Sequence, residues 1–214
     1  ESGHKILGYR NLDELRRRLA PRVLRRELSE VKLQLPERID SRRAVTITPG
    51  QRELMDEGVA NAARLARIAE KRPLSPDELK RMMSAMQMAR MACNAAGLVD
   101  KETDGSPKLA EFEQLIEDVC LGEDRKVVVF SEWIGFCDMA AACADRRGIG
   151  HVRLDGSVPS ARRGRLIATF RDDPGCKIFF STDAGGVGLN LQFASAVINV
   201  DLPWNPAVLE QRIG

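Results

Sequence analysis

The ten residues from Ser181 to Asn190 read STDAGGVGLN and lie between two apolar runs, CKIFF and SAVINV. Gly185, Gly186 and Gly188 permit positive φ and a close backbone approach, while Ser181, Thr182 and the neighbouring amides supply donors with little bulk. Such a turn can hold a phosphate. It can equally serve a tight strand-to-helix junction, and spacing alone leaves both readings open. Three more short segments, 131–133, 155–157 and 201–205, carry small polar residues directly after apolar runs. Asp155, Asp183 and Asp201 fall at these ends, where carboxylates commonly cap the next helix, so none is read as a catalytic acid or base.

What must position these groups is a parallel sheet. KVVVFS, HVRLD, CKIFFS and SAVINVDL are strand-like, whereas FCDMAAACADRRG, SARRGRLIATF and PAVLEQRIG have helical periodicity, the first stopping at Gly148. Strands apolar on both faces and separated by helices indicate an α/β fold with helices covering both sides of the sheet. Ligands of such sheets sit beyond the carboxyl ends of the strands, which is where all four polar segments fall. Upstream, Leu109, Phe112, Ile116 and Val119 share one side of a predicted helix. Thr48, Pro49 and Gln51 predict an earlier helix start, and Ser75, Pro76 and Glu78 repeat it, with Gly97 expected to end that second helix. Met82, Met83 and Met86, with Leu79 and Cys93, form a stripe read as core packing. Residues 1–45 are arginine-rich, with Leu12, Leu15, Leu19, Val23 and Leu24 at helical spacing that Pro21 interrupts. The expected division is a basic linker over 1–45, a helical subdomain over 46–105 and the sheet lobe over 106–214.

The charge balance restricts function. Thirty-three basic and thirty-one acidic residues leave +2 over 214 residues, so any nucleic-acid surface must be local. Five scattered cysteines without a C-x-x-C pair, and only His4 and His151, argue against a metal site and for a reducing, cytosolic setting. No apolar run approaches the roughly twenty residues of a membrane span, so a soluble protein without a membrane partner is expected. Among single residues, Trp204 is expected in the core, Trp133 is either core anchor or stacking platform, and His151 and Cys176 are read as structural.

Taken in order, KVVVFSEW, GIGHVRLDGSVPSARR and STDAGGVGLNLQFASAVINVDLPWNPAVLEQRIG resemble motifs four to six of the SWI/SNF-type ATPases, the superfamily-two helicase-like DNA translocases. The pairing of AGGVGLNL with WNP and QRIG is more specific than a lone glycine loop, and it sets the chain apart from DEAD-box RNA helicases. LAPRVLRRELSEVKLQLPE resembles the passage out of that family's first motor lobe, and TPGQRELMDE the start of its helical insertion. The resemblance implies the second RecA-like lobe of a two-lobed motor, with ATP between the lobes and duplex DNA across both. It implies that Ser131, Trp133, Gly156, Ser157, Ser181 and Thr182 follow one strand's backbone, with Arg162 and Arg163 adding charge or forming a solvated helix face. Gly186, Gly188 and Asn190, with Gln211 and Arg212 of the sixth motif, are implied to face ATP. Contacts to phosphate fix position and carry no sequence information. One loop touching DNA at one end and ATP at the other would couple the two ligands.

The resemblance also names what such a motor needs elsewhere. A competent ATPase requires G-x-x-x-x-G-K-[ST] and an acidic pair for Mg2+. GHKILGYR places Gly3 and Gly8 suitably but continues with Tyr9 and Arg10, and the Asp-Glu pairs at Asp13, Asp56 and Asp77 lie in helical stretches. The arginines expected after QRIG would follow Gly214. The expectation is therefore a piece of a larger DNA-dependent ATPase, inactive alone, with ATP and Mg2+ held mainly by the first lobe. Its partners would be duplex DNA, that lobe and an unidentified protein target whose DNA complex it remodels. The expected setting is the bacterial cytosol or nucleoid, or the nucleus in a eukaryote. A strand-separating helicase and a nucleic-acid-binding or interaction module without motor activity are the other two readings.

Overall fold

The computed structural model of the chain describes residues 10–23, 38–103, 105–183 and 190–213. Gly185, Gly186, Gly188 and Leu24 lie outside them. The chain divides into two compact units, 1–43 and 44–214. Within the first, the leucine spacing does form a helix, α1 (Leu12–Leu19), but none of its residues is buried. Glu14 pairs with Arg17 and Arg18 at 2.6 and 2.7 Å on its surface, which stabilises such a helix only slightly.

The second unit begins with a helical hairpin, α2 (Pro49–Ala69) and α3 (Pro76–Asn94). Both start as the sequence predicts. Thr48 Oγ1 accepts from the Gln51 amide at 3.2 Å while Gln51 Oε1 accepts from the Thr48 amide at 3.1 Å, and Ser75 and Glu78 make the same reciprocal pair at 3.2 and 2.8 Å. Gln51 is wholly buried because its Nε2 also donates to the Ala92 carbonyl at 2.7 Å, joining the two helices. They touch closely at Gly58, where an added Cβ would stand 2.8 Å from the Ala85 carbonyl oxygen and 3.0 Å from Ala89 Cβ.

That closeness overturns the methionine stripe. Ala85, Ala89 and Ala92 are buried; Met82, Met86 and Cys93 are half-buried, and Met83 and Leu79 are 45% and 49% exposed. Helices this near each other have no room between them for a four-atom side chain, so the methionines flank the contact. Gly97 does not end α3 either. The helix stops at Asn94, Ala95 is extended, and Gly97 lies in a single 3-10 turn, Ala96–Leu98. The Asn94 carbonyl instead accepts from Ser106 Oγ at 2.7 Å.

The lobe continues the chain as α4 (Pro107–Ile116), a π-helical turn (Glu117–Gly122), β1 (Val127–Phe130), α5 (Ile134–Arg146), β2 (Gly150–Leu154), α6 (Ser160–Asp172), β3 (Cys176–Ser181), β4 (Ala196–Asn199) and α7 (Pro206–Ile213). The four strands form one parallel sheet in the order β2-β3-β1-β4, with Val127 opposite both Ile178 and Ala196. β1 is buried throughout because its alternate residues serve opposite layers. Val127 and Val129 pack with Phe112, Ile116, Phe136 and Ala140 of α4 and α5, whereas Val128 and Phe130 pack with Leu154, Phe170 and Phe179. Gly148, at φ +66°, comes just after the end of α5 as expected.

Candidate functional site

The connections of β1 and β3 leave on opposite faces. After β1 the chain enters α5, on the α4 side, whereas Leu191, Phe193 and Ala194 after β3 pack with the α6 layer. Adjacent parallel strands whose connections diverge leave a crevice at their carboxyl ends. Such a cleft, about 480 Å³, is lined here by Glu132, Ile134, Gly156, Ser157, Thr182 and Asp183, so segments following β1, β2 and β3 meet in one place.

The residues expected on a DNA track divide by exposure. Gly156 and Ser157 are exposed at the cleft, and Asp155 shapes their turn by accepting from the Ser157 amide at 2.9 Å and its Oγ at 2.5 Å. These bonds, the Ser157 hydroxyl foremost, hold the Asp155 carboxyl below its ordinary range. Ser131, Ser181 and Thr182 are buried. Ser131 Oγ donates to Asp201 at 2.6 Å, and Ser181 Oγ donates to the Thr182 carbonyl at 3.1 Å. Trp133 is half-buried against the α4–α5 core. Arg162 is exposed, and the half-buried Arg163 donates to the Val158 carbonyl at 3.3 Å.

Of the residues expected at ATP, Gly186 and Gly188 lie outside the described residues, and Asn190 and Gln211 are exposed. Arg212 is turned inward and only 7% exposed. Its guanidinium donates to Asp183 at 2.5 and 2.8 Å and to the Asp201 carbonyl at 2.9 Å, and it lies over the Phe130 ring at 5.3 Å. Arg212 thereby ties α7 to the segments after β3 and β4.

Asp201 is the node of this region. Besides Ser131, its carboxylate accepts from the Glu132 amide at 3.0 and 3.2 Å, and Asn94 Nδ2 approaches at 3.5 Å. Burial pushes the Asp201 carboxyl above its ordinary range, while the Ser131 hydroxyl, the Glu132 amide and Arg212 pull it back. Lys108 donates to Asn94 Oδ1 at 2.5 Å and to the Val200 carbonyl at 3.0 Å, and burial lowers its ammonium pKa.

Two tryptophans frame one arginine. Trp204, expected in the core, is 65% exposed, a correction with a clear cause: the Arg90 guanidinium lies 4.9 Å from its ring and 5.9 Å from that of Trp133. A cation over an indole face permits one ring side to stay wet. Sequence reasoning missed Arg90, Asn94 and Glu132. The one signal for them was Arg90 and Asn94 one helical turn apart within the apolar stretch MQMARMACNAA.

His151 and Cys176 have structural settings. His151 pairs with Asp145 at 3.1 Å and lies edge-on to Phe180, and Cys176 is buried. Burial pushes the Cys120 thiol to about 11 and that of Cys137 to about 12, which leaves both unreactive. Among the described residues, no group of three His, Cys, Asp or Glu side chains could hold a metal ion, and no helix is long and apolar enough to cross a membrane.

Comparison with known proteins agrees with this fold. The model of the helicase conserved C-terminal domain matches residues 107–214, just over half of the chain. The ATP-dependent DNA helicase DDM1 of Arabidopsis thaliana is 29% identical over 202 residues, covering 88% of this chain and 26% of that protein. The DNA repair and recombination protein RDH54 of Saccharomyces cerevisiae (strain YJM789) is 32% identical over 145 residues, 59% of this chain and 16% of the relative. This chain thus spans about a quarter or less of both. The Sulfolobus solfataricus SWI2/SNF2 ATPase core, solved in complex with dsDNA, shares the fold with a TM-score of 0.66 at 22% identity, over 94% of this chain and 43% of that one. By the matched domain and the parallel sheet that carries it, the chain belongs to the helicase conserved C-terminal domain family, with a RecA-like fold.

Proposed function

We propose that this chain is the second motor lobe of an ATP-dependent duplex-DNA translocase that remodels protein-DNA complexes. The observation that carries the reading is the convergence, at one switch-point cleft, of the segments following β1, β2 and β3, with the small residues Gly156 and Ser157 exposed there. Small residues let a sugar-phosphate backbone approach amides and hydroxyls closely. The duplex in the related Sulfolobus core supports a double-stranded partner.

Within this proposal the described residues take three roles. Gly156, Ser157 and the half-buried Trp133 meet the DNA backbone, with Arg162 adding charge from α6. Ser131, Ser181 and Thr182 support that track from beneath, with Ser131 holding Asp201 against the Glu132 amide. Asn190, after β3, and Gln211, on α7, form one wall of the nucleotide site, and Arg212 braces α7 through Asp183. The ATP-Mg2+ complex, held mainly by a first lobe, supplies the free energy of lobe closure when bound.

The test is DNA-stimulated ATP hydrolysis by the full-length protein, comparing duplex with single-stranded DNA and wild type with Gly188→Asp. The substitution introduces a charged side chain where a close backbone approach is required. Duplex-dependent hydrolysis that Gly188→Asp abolishes is the expected result. DNA-independent hydrolysis, or normal turnover in the variant, overturns the reading, and strand displacement by the wild type would favour a separating helicase instead. The 214-residue chain alone is expected to show no hydrolysis.

A further inference from the structure

We infer that Arg90 is a positioning residue through which the helical hairpin sets the rim of the cleft. Its guanidinium forms two parallel bonds with Glu132, Nη1 to Oε2 at 2.7 Å and Nη2 to Oε1 at 2.8 Å, and Nη2 also donates to the Leu202 carbonyl at 2.7 Å. The same group lies 5.9 Å from the Trp133 ring centre and 4.9 Å from that of Trp204. One side chain of α3 therefore joins the segment after β1 to the segment after β4, which are about seventy residues apart in sequence.

The path to the cleft is short. Glu132 lines it, and the Glu132 amide is in turn fixed by Asp201. One helical turn beyond Arg90, Asn94 reaches the same Asp201 at 3.5 Å, so two successive turns of α3 grip both segments. An isolated surface ion pair would contribute little. This pair differs, because both side chains are largely enclosed, 20% and 18% exposed, and the guanidinium also lies within cation–π distance of two indoles. A lysine cannot make that combination of contacts. The inference rests on the proposed function only in identifying what the rim holds; the positioning itself is a property of this chain.

The chain has two tryptophans, and both stand over this guanidinium, so intrinsic fluorescence reports on the site directly. The experiment combines emission spectra with residue-resolved amide exchange for wild type, Arg90→Met and Arg90→Lys. Both variants are expected to change the emission and to speed exchange in 131–134 and 201–204 by about tenfold or more, equivalent to about 1.4 kcal/mol. Exchange at Val128 and Phe179 should stay within about twofold of wild type. Unchanged loops, or equal acceleration everywhere, would overturn the positioning role. A last arm titrates duplex DNA. If the wild type binds, Arg90→Met should weaken binding several-fold with the salt dependence retained; a slope lower by about one would mean that Arg90 contacts phosphate itself, which overturns action through Glu132. Absence of wild-type duplex binding would count against the proposed function alone, since the exchange data decide the inference independently.

Discussion

The helical hairpin and the sheet lobe are held by different kinds of interaction. In the lobe, Phe136, Phe170, Phe179 and Phe180 are wholly buried around a strand with no exposed residue. In the hairpin, the buried side chains are Ala85, Ala89, Ala92, Gln51 and Asn94. Apolar burial stabilises by roughly 25 cal/mol per Å², so each phenylalanine contributes several times what an alanine does. The hairpin relies on directional contacts: two capping boxes, the Gln51 bond to Ala92, and the polar grip of Arg90 and Asn94 on the lobe. A rigid floor thus fixes the strand ends, and the hairpin adds polar contacts to the rim above them. Binding groups on loops over a rigid scaffold are a common arrangement; here the loops have a second support, on a helix outside the sheet.

The largest test of this contrast is truncation of an apolar side chain in each region. Phe180→Ala should cost about 3–5 kcal/mol, because Phe180 is wholly buried and packs with Phe112 and His151. Met83→Ala in α3 should change stability by no more than about 0.5 kcal/mol. Denaturant unfolding of both variants measures the difference, and similar losses would break the contrast. A smaller effect is expected from Gly58→Ala. Alanine favours a helix by about 1 kcal/mol over glycine, yet here its Cβ would press on the Ala85 backbone. We expect a net loss of about 1–2 kcal/mol from overpacking, confined to the hairpin. Faster amide exchange in α2 and α3 with β1 unchanged would establish that confinement, and a stabilised hairpin would refute the close contact.

The sequence makes the lobe more legible than the hairpin for the same reason. A strand buried on both faces must be apolar along its length, so β1, β3 and the helices between them can be read from period and composition. Helix starts are equally readable, since Thr48–Gln51 and Ser75–Glu78 are local devices. The hairpin interior is not, because the contact is set by Gly58 meeting Ala85 and Ala89 on another helix, and a stripe of methionines looks like core unless that approach is known. The site shows the same limit. Polar segments after the strands are legible, but Arg90 reaches Glu132 across 42 positions and Leu202 across 112. Trp204 is misread from sequence because the cation that occupies its face belongs to a distant helix. Arg212 is expected to face a ligand, and its inward turn depends on Asp183, 29 positions away.

The smallest predicted effect sharpens the contrast through pH. Glu78, at the start of α3, is held at about 2, chiefly by its bonds to Arg72 and then by the Ser75 amide. Its folded pKa lies below the ordinary 4.5, so its contribution is present above that value and is lost as pH falls from 4.5 through about 2. Asp201 runs the other way. Burial raises its carboxyl above the ordinary 3.8, so the stability linked to its titration is fully present below 3.8 and is lost as pH rises through the higher folded value. Acidification from pH 5 toward 2 should therefore loosen the first turn of the hairpin helix while relieving a buried charge beneath the cleft. Carboxyl carbon shifts measured by NMR across this range would give a Glu78 midpoint near 2 and an Asp201 midpoint above 3.8. Glu78→Gln should flatten the acid dependence of the Ser75 and Glu78 amides without altering the Asp201 titration. Ordinary midpoints at both carboxyls would mean that the hairpin caps and the lobe node do not differ electrostatically, and the contrast would then rest on packing alone.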